Sequence, residues 1–388
     1  MSRDPSSGMA EQSFTNCRVV LAQEVLSGGV TLRDGMIAEV FHGSHPRAVV
    51  DCEGDYLIPG LIELHTDHLE SHFKPRPKVL WPVEAAVVAH DAQIATSGIT
   101  TVFDALRVGT SKEDDVSLGS NMKSLAGAIG RAKSAGVLRA DHLLHLRCEL
   151  ACEDTVAETE RFLDDPNLRL ISLMDHTPGQ RQFTRLDKFK EYYGVKAGMS
   201  DAELETYISE RLAAHERLAA PNRRRVVALA RAQGIPLASH DDATGAHVEE
   251  AAADGVTIAE FPTTADAAEL SRRHGMHVLM GAPNVVRGGS HSGNVSAQVL
   301  AEDGLLDILS SDYVPFSLLQ AAFGLPQRVS GIDLPAAVRL VTQNPALATG
   351  LEDRGEIAVG KRADLVQVRV VDGLPVVRSV WRQGQRVA

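Results

Sequence analysis

The chain has few cysteines, and none of them stand in the Cys-x-x-Cys spacing: Cys17, Cys52, Cys148 and Cys152 are its four. That disfavours zinc-finger and thioredoxin-like chemistry. It contains no apolar run of about 18 residues, so no segment reads as a membrane-spanning helix. No charged-then-apolar leader opens it, and the expectation is a reduced, cytoplasmic protein. Positive charge is also short. Against 51 Asp and Glu stand 39 Lys and Arg, a net charge of −12 over 388 residues. Nucleic-acid and membrane-surface proteins carry a basic footprint, so neither partner is expected. A local cluster of arginines could still take an anionic small molecule.

What is present suffices for a large core, with 44% apolar residues. Residues 1–14, rich in polar and turn-forming types, read as an extension outside the fold. Residues 15–58 and 353–388 show short strand-like runs broken by Gly-containing turns. Both chain ends are therefore expected to build one small β-domain, a sandwich beside a central domain at 59–352. Within that central domain, apolar runs alternate with helix-like segments. The runs are 61–65, 99–104, 143–149, 170–175, 235–240, 257–261, 277–281 and 306–312. Strand–helix alternation implies a parallel sheet, and eight units imply a closed (β/α)8 TIM-like barrel of α/β class. A long helical insertion is expected over 186–220.

Chemistry in such barrels sits at the C-terminal ends of the strands. The first run ends in His65-Thr66-Asp67, where positions i and i+2 face one side. In the third, HLLHLRCEL, alternation puts His145, Arg147 and Glu149 inward and Leu144, Leu146 and Cys148 outward. A buried Glu149 needs a metal or a partner such as Arg147. The fourth run ends in Asp175-His176, the fifth in His240-Asp241-Asp242 and the eighth in Asp312. A lone histidine at a strand end is usually a hydrogen-bonded loop residue. Six donors at the strand ends of one barrel point instead to a binuclear centre: His65, Asp67, Glu149, His176, His240 and Asp312, with Glu149 bridging. His68, His72, His90, His215, His247, His274 and His277 are given ordinary surface or core roles.

Three loops add positive charge. After the seventh run, GAPNVVRGGSHSGNVSAQVL carries Arg287, Ser290, His291 and Asn294 and is expected to open a helix near 293. Glycines before a helix N-terminus suit an anion. Lys74, Arg76 and Lys78 lie in FKPRPKVLWP, and Arg181 and Arg185 in TPGQRQFTR. Together they suggest a substrate with several negative charges.

These motifs also carry a resemblance. The HxD after the first strand, the strand-end histidines and the SSD aspartate look like an amidohydrolase-superfamily metal site. LIPGLIELHTDHLE, HLRCEL, SLMDHTPGQRQF, ASHDDAT, AEFPTT, LMGAPNVVRGGSHSGNVSA and LSSDYVPFSLLQAAF closely resemble the PhnM family of phosphonate metabolism, from about residue 57 to residue 368. The resemblance implies hydrolysis of α-D-ribose 1-methylphosphonate 5-triphosphate to the 5-phosphate and pyrophosphate. It also implies a functional link to carbon–phosphorus lyase components, and it leaves homo-oligomerisation open. The chain departs from the wider superfamily by having Asp67 where His is usual, and no lysine at a barrel strand end. More oxygen donors keep zinc, manganese, iron and magnesium all open as the two divalent ions. The expected roles follow. His65 and Asp67 hold one ion and His176 and His240 the other. Asp312 takes the proton of the attacking water, while Arg287, His291 and Arg181 neutralise the leaving pyrophosphate. The rival readings are a cyclic-amide hydrolase on the same barrel and a metal-free scaffold protein.

Overall fold

A computed structural model of the chain describes residues 11–44, 50–110, 121–181, 200–290 and 293–388. Five strands come first: β1 (Gln12–Val20), β2 (Val25–Arg33), β3 (Met36–His42), β4 (Val50–Asp51) and β5 (Tyr56–Pro59). Eight follow: β6 (Leu61–Thr66), β7 (Ile99–Val108), β8 (Asp141–Glu149), β9 (Leu168–Met174), β10 (Leu237–His240), β11 (Ile258–Glu260), β12 (His277–Gly281) and β13 (Ile308–Ser310). The chain ends with β14 (Leu365–Val371), β15 (Leu374–Arg382) and β16 (Gln385–Arg386). Each of the eight expected runs is a strand. Among the described residues no helix is long and apolar enough to cross a membrane.

Both chain ends enter one hydrogen-bonded sheet in the order β16-β15-β14-β5-β1-β2-β3, with β4 on β1. Its core includes Phe14, Val19, Leu57, Leu365 and Trp381, with Phe14 and Trp381 meeting edge to face at 4.8 Å. The expected extension over 1–14 is corrected at its end. Gln12, Ser13 and Phe14 pair with Leu32, Thr31 and Val30, because Phe14 is fully buried in that core.

The central strands run parallel in sequence order from β6 to β13. Ile62, Leu64, Phe103, Leu143, Leu170, Ala238, Ile258, Leu279 and Ile308 form one interior cluster. Leu144, Leu146 and Cys148 pack outward among helix residues such as Ala86, Leu125 and Val226. Alternation on β8 therefore falls as the sequence implies, and His145, Arg147 and Glu149 point inward. Of the expected insertion over 186–220, residues 186–199 lie outside the described residues, and the rest belongs to one helix, Asp201–Gln233, capped by Ser200 through a capping box with Glu203. That helix continues through Pro221.

β6 and β13 close the barrel only at the mouth. Thr66 bridges Asp312, with Asp312 N–H donating to the His65 carbonyl (3.1 Å) and Asp67 N–H to the Asp312 carbonyl (3.2 Å). At the far end the carbonyls of Leu340 and Val341 accept from Leu309 and Ile62 N–H, each at 2.9 Å. Between these ends the Glu63 carboxylate replaces the missing ladder. It accepts from His65 N–H (2.6 Å) and Ser311 N–H (2.6 Å) and lies 2.7 Å from the Ser310 hydroxyl.

Outside the barrel wall, His142 is held between two carboxylates. Its Nδ1 lies 2.7 Å from Asp104 Oδ2 and its Nε2 lies 3.3 Å from Asp91 Oδ1. His90 Nε2 meets the other Asp104 oxygen at 2.8 Å. Burial opposes the charged ring, but Asp104 and Asp91 outweigh it and raise His142 from 6.5 to about 9. A pKa raised on folding gives stability that is complete below the unfolded value and lost as pH rises through the folded one. Urea resistance should therefore fall between pH 6.5 and about 9, and His142→Gln should flatten that slope. An unchanged slope in the variant would remove this network as the cause.

Candidate metal centre

β6, β8, β9, β10, β11 and β13 deliver their terminal side chains to one mouth. β10 ends in His240, and Asp241 takes a left-handed backbone (φ 57°). Phe261 after β11 (φ 54°) and Asp312 after β13 (φ 56°) do the same. Such geometry is strained for residues other than glycine and gathers at working sites. On β6 the pairing register with β7 slips between Glu63 and Thr66. Simple alternation would send His65 to the side opposite Leu64, and a slip of this kind re-aims the strand end.

Glu260, the last residue of β11, is the hub. Its Oε1 lies 3.1 Å from His65 Nδ1 and 3.7 Å from His145 Nε2. Its Oε2 accepts from Ser172 (2.9 Å) and lies 3.3 Å from His240 Nδ1. Burial alone would push this carboxyl up, yet the imidazoles of His65, His145 and His240 hold it well below the usual range. Burial would likewise lower His65, and Glu260 more than offsets it. For His145 burial wins and its pKa falls to about 3, so that ring is neutral. With Nδ1 of His65 and His240 turned to Glu260, Nε2 of each is left for the mouth, an arrangement common behind metal-bound imidazoles. The two rings stack at 5.4 Å, flanked by Phe261 at 5.1 and 5.3 Å.

His176, His240 and Asp241 present donor atoms all within 4.8 Å of one another. Asp241 Oδ2 lies 3.4 Å from His240 Nε2 and 3.9 Å from His176 Nε2, and it is buried without a hydrogen-bond partner. Across the mouth, Asp312 is raised to about 6 by burial first and by the Asp67 charge second. An orphaned buried carboxylate oxygen beside two imidazoles, and two carboxylates crowded together, both fit a bound cation.

Of the six donors nominated from sequence, His176 and His240 meet directly, at 5.5 Å between rings, and His65 stacks on His240. Asp67 and Asp312 lie together at the β6–β13 closure. Glu149, expected to bridge two ions, packs against His176. Its Oε2 is 2.6 Å from His176 Nδ1 and its Oε1 accepts from His176 N–H at 3.0 Å. It thus sits on the His176 side, held ionised against its burial by His176, Arg107 and Arg211.

The basic loops fare less well. Arg76 and Lys78 are exposed and Lys74 is half-buried. The buried Arg181 guanidinium is engaged by Asp242, by Glu250 at 3.3 Å and by the His240 carbonyl at 3.4 Å. Its expected role was at the leaving pyrophosphate. Arg287 is exposed at the end of a six-residue helix, and Ser290 and Asn294 are half-buried. The following helix starts at Ala297 rather than near 293, capped by Ser296. His291 and Arg185 lie outside the described residues. Missed in the sequence were Asp241 and Glu260. Both follow the strand-end rule, and Glu260 ends a run that carried no histidine to draw notice.

The amidohydrolase family model matches residues 78–388. The chain belongs to the amidohydrolase family. The amidohydrolase is 52% identical, over 96% of its length and 99% of the relative's, to the α-D-ribose 1-methylphosphonate 5-triphosphate diphosphatase of Escherichia coli (strain K12). It is 26% identical to an adenine deaminase of Nitratidesulfovibrio vulgaris, covering 57% of that protein. Among solved structures, N-isopropylammelide isopropylaminohydrolase from Burkholderia multivorans shares the fold with a TM-score of 0.64 at 17% identity, over 97% of this chain and 98% of that one. N-acetyl-D-glucosamine-6-phosphate deacetylase from Mycobacterium smegmatis does so at 0.62 and 16% identity, over 97% and 99%.

Loaded with a divalent cation and desalted, His240→Ala and Asp241→Asn should each retain less metal than wild type by elemental analysis. Full retention in both would place the donors elsewhere.

Proposed function

We propose that this amidohydrolase cleaves α-D-ribose 1-methylphosphonate 5-triphosphate to the 5-phosphate and pyrophosphate in phosphonate catabolism. The observation that carries the reading is the 52% identity, end to end, with the diphosphatase of that substrate. The donor set at the mouth supports it chemically. We assign His65, Asp67 and Asp312 to one cation and His176, His240, Asp241 and Glu149 to a second; zinc, manganese, iron and magnesium all suit these nitrogen and oxygen donors. When bound, such a cation lowers the pKa of water and takes up charge on a phosphoryl oxygen.

The chain's own groups do the rest. Asp312 accepts the proton of the attacking water, and its left-handed backbone fixes that carboxyl at the barrel closure. Glu260 locks the tautomers and tilt of His65 and His240. Phe261 meets both rings edge to face. We place the protein in the cytoplasm, with the carbon–phosphorus lyase reaction consuming its sugar product.

Phosphorus NMR on the ribose triphosphate with a defined metal should show pyrophosphate and the 5-phosphate. Opening of a cyclic amide without pyrophosphate release would overturn the reading. Asp312→Asn should lose turnover by about a hundredfold or more, the usual worth of a general base, beyond any loss of metal read by elemental analysis. Wild-type turnover in that variant would remove Asp312 from the proton transfer.

A further inference from the structure

The arginines of this chain meet carboxylates in two ways. Several in the scaffold are closely seated. Arg223 Nε lies 2.6 Å from Asp254, Arg369 Nε 2.8 Å from Asp55 and Arg354 Nη1 2.8 Å from Asp141. Two at the barrel mouth stand off. Arg147 Nη1 is 3.4 Å from Asp67 Oδ2 and Arg211 Nη2 is 3.6 Å from Glu149 Oε1, while Arg107 Nη2 comes within 3.7 Å of Glu149 Oε2 from the other side. Charge-assisted N–H···O bonds close to about 2.7–2.9 Å where a carboxylate is available. Glu149 is not fully available, because both its oxygens already serve His176.

Arg147 precedes Glu149 by two residues on β8 and so shares its inward face. Its side chain is 16% exposed, and its Nε is buried with no hydrogen-bond partner. A guanidinium carries five N–H donors, and among the described residues this side chain hydrogen-bonds only to Asp67, at 3.4 Å. Its charge acts on His65, His145 and Asp312, which places it at the donor cluster. Arg211 reaches the same side from the helix Asp201–Gln233. Its side chain is 8% exposed, and its hydrogen bond goes to Cys152 Sγ at 3.8 Å. Burying a guanidinium without good oxygen partners is costly unless an anion arrives. Simple neutralisation of Asp67 and Glu149 would draw these groups in to contact distance, as it does for Arg223, Arg369 and Arg354.

We propose that Arg147 and Arg211 form a polyphosphate subsite on the Glu149 side of the mouth, with Arg107 adding charge at its outer edge. The proposal rests on the hydrolytic reading above and names the groups that recognise the triphosphate. The planar fork of arginine matches two phosphoryl oxygens at once. Two interior positions thereby set this barrel toward an anhydride rather than a neutral amide. The exposed Arg76, Lys78 and Arg287 are not needed for that selection.

The test is calorimetric titration of the metal-loaded protein with inorganic tripolyphosphate. Wild type should bind. Arg147→Met and Arg211→Met should each weaken binding about tenfold to a hundredfold, with metal content unchanged. Arg147→Lys keeps the charge without the fork and should fall between, so it decides the matter if the Met variant does not fold. Wild-type affinity in these variants, or no binding by wild type, would overturn the subsite. Failure of the hydrolytic reading looks different: arginine-dependent binding of tripolyphosphate, with no pyrophosphate released from the ribose triphosphate.

Discussion

A single buried carboxylate organises the barrel mouth. Glu260 has no contact with water, yet it joins His65 of β6, His145 of β8, Ser172 of β9 and His240 of β10 to β11. A carboxylate at full burial is tolerated only because these donors surround it. The same contacts decide what the imidazoles can do. A ring whose Nδ1 faces a carboxylate offers Nε2 as its lone pair, so the hub sets both position and tautomer. The strands β10 and β11 are only four and three residues long, and hydrogen bonding of the backbone alone gives them little purchase. Side-chain bonding around Glu260 supplies the cross-strand order that such short ladders lack.

The seam between β6 and β13 shows the same device. Leu340 and Val341 occupy the ladder at one end and Thr66 with Asp312 at the other, which leaves backbone N–H groups of His65 and Ser311 facing a gap. Glu63 fills it, and its burial, partly offset by Ser311, Ser310 and His65, sets its pKa near 7. Closure at the mouth has a consequence for the site. It fixes the backbone of His65, Asp67 and Asp312 against one another, so three nominated donors inherit their spacing from the barrel joint itself.

The sequence made the barrel legible because each strand is an apolar run set off by helical segments, and because the parity of β8 is clean. Glu149, His176 and His240 were legible for the same reason: polar residues at the ends of apolar runs have few structural excuses. The slip on β6 was not legible, since Ile62, Glu63, Leu64 and His65 alternate without a break. Nor was the seating of the arginines. Arg181 and Arg147 look alike in sequence, each beside a strand-end donor. One is engaged by Asp242 and Glu250, while the other stands off from Asp67, and only the fold brings those acids near. Net charge left this open, because an acidic chain can still gather its guanidiniums at one opening.

Taken singly, the features of that opening are unfavourable. Burial, and then the Asp67 charge, lifts the pKa of Asp312; Asp241 buries an oxygen with no hydrogen-bond partner among the described residues; Arg147 and Arg211 hold charge at long range from their nearest acids. Each cost is relieved by an ion of the opposite sign. A cation among the carboxylates would draw Asp67 toward itself and away from Arg147, which would free that guanidinium for an anion. A polyphosphate on the arginines would in turn relieve their claim on Asp67 and Glu149. Binding of the two would then be coupled, and linkage requires the coupling to be the same in both directions. A cation site alone gives no reason for loosely seated arginines, and an anion site alone gives none for crowded carboxylates. The proposed reaction, in which a metal ion and a phosphate chain meet, accounts for both features in one mouth.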